Sequence, residues 1–252
     1  MTDTAPSQPI TDPSDPLKVI IENIDPVTGY RFECMNVRKK IINLLQNAIQ
    51  AQKTIVFLEG DFDDLKGLND LCGHQAANQA MKQSLNEKEQ SLKNLAHIEN
   101  IYLYRPQAGG DEFKIIIIFN QKNLSTKEKE ALGNTIKKIV ESPTTFKYSS
   151  QKEAKKIYSS SGISIFHATG NEDATQKFRE LEIQAENKLA KQKTEKIYQQ
   201  LMKTIIQAEI VSPEKYIKAI TDRWGTRRVT KNVLRIILQS LMNVVKENKE
   251  GN

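Results

Sequence analysis

The sequence predicts an α+β fold, a ferredoxin-like sheet of the split βαβ type flanked by helices and followed by an all-α extension. Three observations predict it. Apolar runs of strand character at 54–62, 98–105, 113–120 and 157–168 are separated by stretches with helical spacing. The second and third runs are joined by a tight turn at 106–112, which contains Pro106 and Gly109-Gly110, so a hairpin sits between two crossover units. Beyond residue 194 no strand-like run occurs.

Each element has its own signal. Met1–Pro16 carries four prolines and three aspartates and reads as a disordered tail. Residues 17–24 form a short apolar lead, and Asp25-Pro26-Val27-Thr28-Gly29-Tyr30 is a turn. Val37, Ile41, Leu44, Leu45, Ala48 and Ile49 give residues 35–52 a helical stripe. Residues 64–93 predict a helix, or two, with Leu65, Leu68, Leu71, Ala76, Ala80, Met81 and Leu85 inward. The four isoleucines 115–118 predict a strand buried on both faces. Ser125, with Glu128 three positions on, predicts a capped helix over 126–141. A long helix is predicted over 173–194. Ile197, Leu201, Ile205 and Ala208 continue with a helical stripe. Ser212-Pro213 starts a further helix, Trp224-Gly225 ends it, and Val229–Val245 supply a last amphipathic one.

Bulk properties narrow the function. The chain has 252 residues, 38% hydrophobic, with a net charge of +6. No apolar run approaches the roughly 20 residues that span a bilayer. The N-terminus lacks the apolar core of a secretory signal. Cys34 and Cys72 fit neither a metal knuckle nor a disulfide framework, so a reducing cytoplasm is the expected compartment. Residues 194–252 hold 11 Lys+Arg and 6 Asp+Glu, which is most of the excess charge. That surplus suits a nucleotide or nucleic-acid partner, or a solubilising helical surface.

The chemistry concentrates in two acidic elements. Asp61-Phe62-Asp63 closes the first strand, and Gly109-Gly110-Asp111-Glu112-Phe113 opens the third. Neighbouring strands lie about 4.8 Å apart. Carboxylates on them can share a divalent cation, and Mg²⁺ favours hard oxygens together with substrate phosphates. The glycines leave room for a phosphate or ribose against the backbone. The expected chemistry is phosphoryl or nucleotidyl transfer.

With these residues in place, the chain resembles the GGDEF family of nucleotidyl cyclases, most of which are diguanylate cyclases built on a polymerase-palm sheet. Asp25–Tyr30 is similar to the family's Asp-x-Leu-Thr-Gly-Leu opening. The segment from Asp61 to His74 is similar to its Asp-x-Asp-x-Phe-Lys-x-x-Asn-Asp-x-x-Gly-His block. Ser161-Gly162-Ile163-Ser164 resembles its Ser-x-Gly strand, and Ala185-Glu186 with Lys193 its closing helix. The resemblance covers roughly residues 24–194. It implies a tail at 1–16, a GGDEF nucleotidyl cyclase domain at 17–194 and a helical extension at 195–252. It also implies that Asp61, Asp111 and the Phe62 carbonyl hold two Mg²⁺ or Mn²⁺ ions per active site, with Glu112 beside them. Lys66 and Lys193 would hold phosphates, Gly109 and Gly110 would admit the nucleotide, and Asn69 would read the base. His74 would brace its helix. Two GTP molecules, one on each subunit of a homodimer, would become the second messenger c-di-GMP and two pyrophosphates.

Some positions depart from the family. Asn78 stands where an aspartate usually reads guanine, which loosens base specificity and admits ATP as a second substrate. Asn100 and Leu103 replace the inhibitory Arg-x-x-Asp, and Gln107 replaces an arginine, with Arg105 near but out of register. Met1–Pro16 is too short for a sensory domain, so control is expected from the C-terminal helices or from another protein. Two other readings stand beside the first. One is a stand-alone anti-phage cyclic nucleotide synthase of the minimal CRISPR polymerase type using ATP. The other is a catalytically silent nucleotide-binding regulatory module. Nucleic-acid binding by the basic C-terminal helices, around Trp224–Arg228, is a further expectation.

Overall fold

The protein is described here from a computed structural model covering residues 24–107, 110–121, 124–147 and 154–208, the last eight as backbone. Helix α1 (Met35–Gln50) precedes strand β1 (Thr54–Phe62), helix α2 (Leu65–Lys93) and strands β2 (Ile98–Tyr104) and β3 (Glu112–Phe119). Helix α3 (Thr126–Glu141), the short strands β4 (Thr144–Phe146) and β5 (Lys155–Ile157), strand β6 (Ser159–His167) and helix α4 (Ala174–Ala208) follow. The main sheet runs β2-β3-β1-β6, and every neighbouring pair is antiparallel. That is the predicted split βαβ order, with β2 and β3 as the hairpin.

Alternation along the strands divides the core in two. Ile115 and Ile117 join Val56 and Leu58 under α2 and α3, against Met81, Leu85, Ile136 and Val140. Ile116 and Ile118 join Ile55 and Phe57 on the other face, against Ile41 and Leu45 of α1 and Phe178 and Leu181 of α4. Successive side chains on a strand point to opposite faces, so a run of four isoleucines is what a central strand covered on both sides requires.

Local signals fix the helix ends. Ser125 Oγ accepts from the Glu128 N–H at 3.3 Å while Glu128 Oε2 accepts from the Ser125 N–H at 2.7 Å, the capping box read from the sequence. In α2 the helix is interrupted at Gly73, where φ is 79° and ψ 158°. This conformation is almost confined to glycine. The pair β4–β5 was not predicted, since three residues per strand carry no readable period. The helix expected to end at 194 runs on to Ala208, because nothing between 174 and 208 is Gly or Pro. Within α4 the division into two compact units falls after Ala190. The tail at 1–16 and the helices and turn expected beyond 208 lie outside the described residues. Among the described residues no helix is long and apolar enough to cross a membrane.

Two glycines let elements meet closely. A Cβ on Gly60 would fall 2.2 Å from the Phe113 ring, so the aromatic after Glu112 packs directly over β1. A Cβ on Gly162 would fall 1.9 Å from the Ala185 carbonyl oxygen and 2.6 Å from the Leu189 nitrogen, so α4 rests on β6 backbone to backbone. Backbone cannot step aside as a side chain can. Gly162→Ala is expected to cost about 3 kcal/mol, the upper end of overpacking effects, read as a lower urea midpoint at unchanged slope.

One buried charge makes stability depend on pH. Lys88 is 2% exposed and donates to Ser84 Oγ at 2.8 Å and to the Ser142 carbonyl at 3.2 Å. Burial pulls its ammonium down to about 8, with Glu87 opposing. Between that value and the ordinary lysine range the native state sheds a proton that the unfolded chain keeps. Stability should therefore rise by about 3 kcal/mol from pH 8 to above 10, and Lys88→Met should flatten that rise in urea titrations.

Candidate active site

The two acidic elements meet at one end of the sheet. Asp61 is the penultimate residue of β1 and only 5% exposed. Register puts Glu112 of β3 opposite it on one side and Ser160 of β6 on the other. The Phe62 N–H donates to the Asp111 carbonyl at 3.0 Å, so the end of β1 is tied to the turn residue just before β3. Asp63 is tied down separately: its N–H donates to the Tyr158 carbonyl at 2.9 Å, and Ser160 Oγ donates to Asp63 Oδ1 at 2.6 Å.

The turn before Asp111 is held from beneath. Arg105 is completely buried, and its Nη2 donates to the Gly110 carbonyl. Its Nη1 lies 3.5 Å from Oδ2 of Asp25, itself completely buried. Asp25 is the hub of the opening turn. Its carboxylate accepts from the Val27 and Thr28 N–H groups and, at 2.6 Å, from Thr28 Oγ1, while Gly29 turns the chain at a φ of 78°. Tyr30 then donates to Glu89 at 2.6 Å, fastening the turn to α2. Burial lowers the Arg105 guanidinium, and Asp25, Asp111 and Glu112 act in the opposite sense. The arginine thus belongs electrostatically to the acidic site as well as to the opening turn.

A cleft of about 460 Å³ opens beside this end of the sheet, lined by Leu65, Lys66, Asn69, Asp70, His74, Gly110 and Asp111. Of the residues singled out from the sequence, Lys66, Asn69, Gly110 and Asp111 line it together. Asp61, Phe62 and Glu112 lie in the adjoining strand ends. Asn78 is half-buried in α2 and is not part of this lining. Gly109 lies outside the described residues, and Lys193 lies in the second compact unit. His74 is exposed and lines the cleft, directly after the break in helical geometry at Gly73.

Residues 23–199 match the family described as diguanylate cyclase, GGDEF domain. The chain belongs to the GGDEF family. Over 126 residues it is 26% identical to the probable diguanylate cyclase DgcJ of Escherichia coli (strain K12), covering 47% of this chain and 22% of that protein. The chain therefore spans about a fifth of that relative's length. Among solved structures it is similar to a sensory box/GGDEF family protein from Caulobacter crescentus CB15, with a TM-score of 0.47 at 17% identity over 66% of this chain and 97% of that one. It is also similar to the GGDEF domain of DgcB from Caulobacter crescentus in complex with c-di-GMP, with a TM-score of 0.46 at 20% identity over 64% and 86% of the two chains.

Behind the GGDEF acids lies a set of charges that the sequence reading missed. Lys114, two residues after Glu112, donates to Glu182 Oε1 at 2.9 Å and lies 3.8 Å from Glu33 Oε2. Arg38 reaches Glu33 at 2.8 Å and Glu182 at 3.5 Å. Cross-strand from Lys114 is Glu59, whose carboxyl is pushed up to about 7. Burial is the main cause; Lys114 opposes it, and Glu186, Glu112 and Glu182 reinforce it. The missed signal was two charged residues, Glu59 and Lys114, placed directly opposite each other in otherwise apolar strands.

The donor set suits a GGDEF-type divalent ion completed by substrate. Among the described residues no three His, Cys, Asp or Glu side chains converge as a protein-only metal cage. Mg²⁺ does not need one: one or two carboxylates plus substrate phosphates are its usual ligands. Asp61, buried at the end of β1, and Asp111, in the turn that leads into the neighbouring β3, are hard oxygen donors that fit that pattern.

Proposed function

We propose that this chain is a metal-dependent cyclic dinucleotide synthase that joins two nucleoside triphosphates, most simply two GTP into c-di-GMP, with release of two pyrophosphates. The observation that carries the reading is the pairing of Asp61 with the Asp111 turn at the mouth of a cleft that also presents Lys66 and Asn69. In this reading residues 17–194 are the catalytic domain, 1–16 a tail and 195–252 a helical extension, in the cytoplasm.

Asp61, Asp111 and the Phe62 carbonyl would hold two Mg²⁺ or Mn²⁺ ions. When bound, such a pair stabilises charge on the attacking and leaving oxygens of an in-line displacement. Lys66 would hold phosphates as a point charge. Gly109 and Gly110 allow the nucleotide against the backbone. Glu112 stands beside the metal carboxylates and helps take the proton of the 3′-hydroxyl. Each bound triphosphate offers its 3′-oxygen to the α-phosphorus of the other, so two subunits must face each other and association sets the rate. At position 78 an amide replaces a carboxylate and offers one acceptor oxygen beside a donor. Discrimination against ATP should be weaker than a carboxylate there would give.

The test is incubation of the full chain with Mg²⁺ or Mn²⁺ and GTP, ATP or both, with products resolved by mass. A cyclic dinucleotide with matching pyrophosphate supports the reading, and no dinucleotide from any mixture ends it. In the mixed reaction Asn78→Asp is expected to lower adenine incorporation about tenfold. An unchanged product ratio would remove Asn78 from base selection.

A further inference from the structure

The segment that carries the acids, Gly110 to Lys114, is held at both ends. At one end Arg105 Nη2 donates to the Gly110 carbonyl. At the other, Lys114 and Arg38 each lie within ion-pair distance of both Glu182 and Glu33. The four side chains close a ring of two cations and two anions, with N–O separations of 2.9 and 3.8 Å from Lys114 and 3.5 and 2.8 Å from Arg38. Glu33 belongs to both holds, because its own N–H donates to the Arg105 carbonyl at 2.7 Å. The side chains of Lys114, Glu182 and Glu33 are 12%, 17% and 18% exposed, so water does not screen them as it screens a surface pair.

The ring stands directly behind the acids. Side chains two apart on a strand share a face and lie about 7 Å apart. Lys114 is thus the next residue after Glu112 on that face of β3, and the register that sets Glu112 opposite Asp61 sets Lys114 opposite Glu59. A sheltered ion pair is weak evidence for stability, since apolar residues of similar volume often replace one at no cost. What this one specifies is a position: Glu182 on α4 and Glu33 ahead of α1 both meet β3 at Lys114. We infer that Lys114 is a positioning residue that, through Glu182 and Glu33, fixes the end of β3 and with it the place of Asp111 and Glu112 beside Asp61. The catalytic consequence of the inference rests on the nucleotidyl-transfer reading of the site.

The test separates position from stability. The charge-neutral double variant Lys114→Met/Glu182→Leu is compared with the wild type and Lys114→Arg, each as the full chain. The urea midpoint of the double variant should stay near that of the wild type. Its kcat for dinucleotide formation should fall about a hundredfold at little change in KM, the loss that a misplacement of about 1 Å can cause. Lys114→Arg keeps a cationic donor for Glu182 and should retain most of the wild-type kcat. Amide hydrogen exchange reads the geometry without turnover: residues 110–114 should exchange faster in the double variant while the rest of the sheet is unchanged. Wild-type kcat in the double variant overturns the inference and leaves the cyclase reading standing. So does a kcat loss that only follows a lowered urea midpoint, with exchange faster throughout. A wild type that forms no dinucleotide ends the cyclase reading; exchange then decides alone, and an unchanged rate at 110–114 overturns the inference.

Discussion

Asp111→Ala is expected to lower cyclic dinucleotide formation by at least about a thousandfold while the fold survives. The two halves of this expectation have different origins. The contact that ties this turn to β1 runs from the Phe62 N–H to the Asp111 carbonyl, a backbone bond that alanine keeps. Arg105 likewise grips the neighbouring Gly110 through its carbonyl. The substitution therefore removes a carboxylate from the mouth of the cleft without cutting the links that shape the turn. Catalytic units of this kind lose most of their rate when any one member goes, because the members act together. Pyrophosphate release and product mass measure the loss, and thermal unfolding checks the fold. Activity within about tenfold of the wild type would remove Asp111 from the chemistry. Manganese titration adds an independent arm: weaker Mn²⁺ binding in the variant is expected whether or not turnover can be detected.

Most of the fold was legible because the signals were local and strong. Four isoleucines in a row, a Ser–Glu capping box and a proline-glycine turn each constrain the chain through neighbours a few residues away. The same locality explains the misses. Strands β4 and β5 are three residues each and form only because they pair with each other. Helix α4 overran its expected end because no residue stops it. At the site, Gly110 and Asp111 stood out as a glycine-acid turn between two strands, whereas Lys66 and Asn69 were singled out only through the resemblance of the Asp61–His74 segment to its family counterpart. The linkage of Asp25 to Arg105 could not, since 80 positions separate them and only burial makes them partners. By register alone Arg105 looked displaced. Its side chain nevertheless reaches the Gly110 carbonyl, which no residue count would indicate. The partnership of Glu59 and Lys114 appears only when the register sets them opposite each other.

Asp25→Ala is expected to destabilise the protein by about 3–5 kcal/mol, the penalty for leaving a buried charge without its partner. Arg105 has no exposure at all, and its Nε and Nη1 make no hydrogen bond among the described residues, so the Asp25 carboxylate is the main compensation for that cation. The same substitution strips the opening turn of its acceptors for the Val27 and Thr28 N–H groups and the Thr28 hydroxyl. The double variant Asp25→Ala/Arg105→Met separates these contributions. If the unpaired charge dominates, removal of the arginine should recover a large part of the loss, because an apolar side chain fills the volume without needing a counter-ion. If the turn's lost acceptors dominate, the double variant should be as unstable as the single one. Urea titrations of the wild type and three variants complete the cycle, and a single-variant loss below about 1 kcal/mol would exclude the pair as a structural anchor. Activity supplies a second reading. Arg105→Met keeps every group proposed to touch substrate but frees the Gly110 carbonyl, so a fall in turnover at temperatures where the variant remains folded would locate the role of Arg105 in the geometry of the Gly-Gly-Asp-Glu turn.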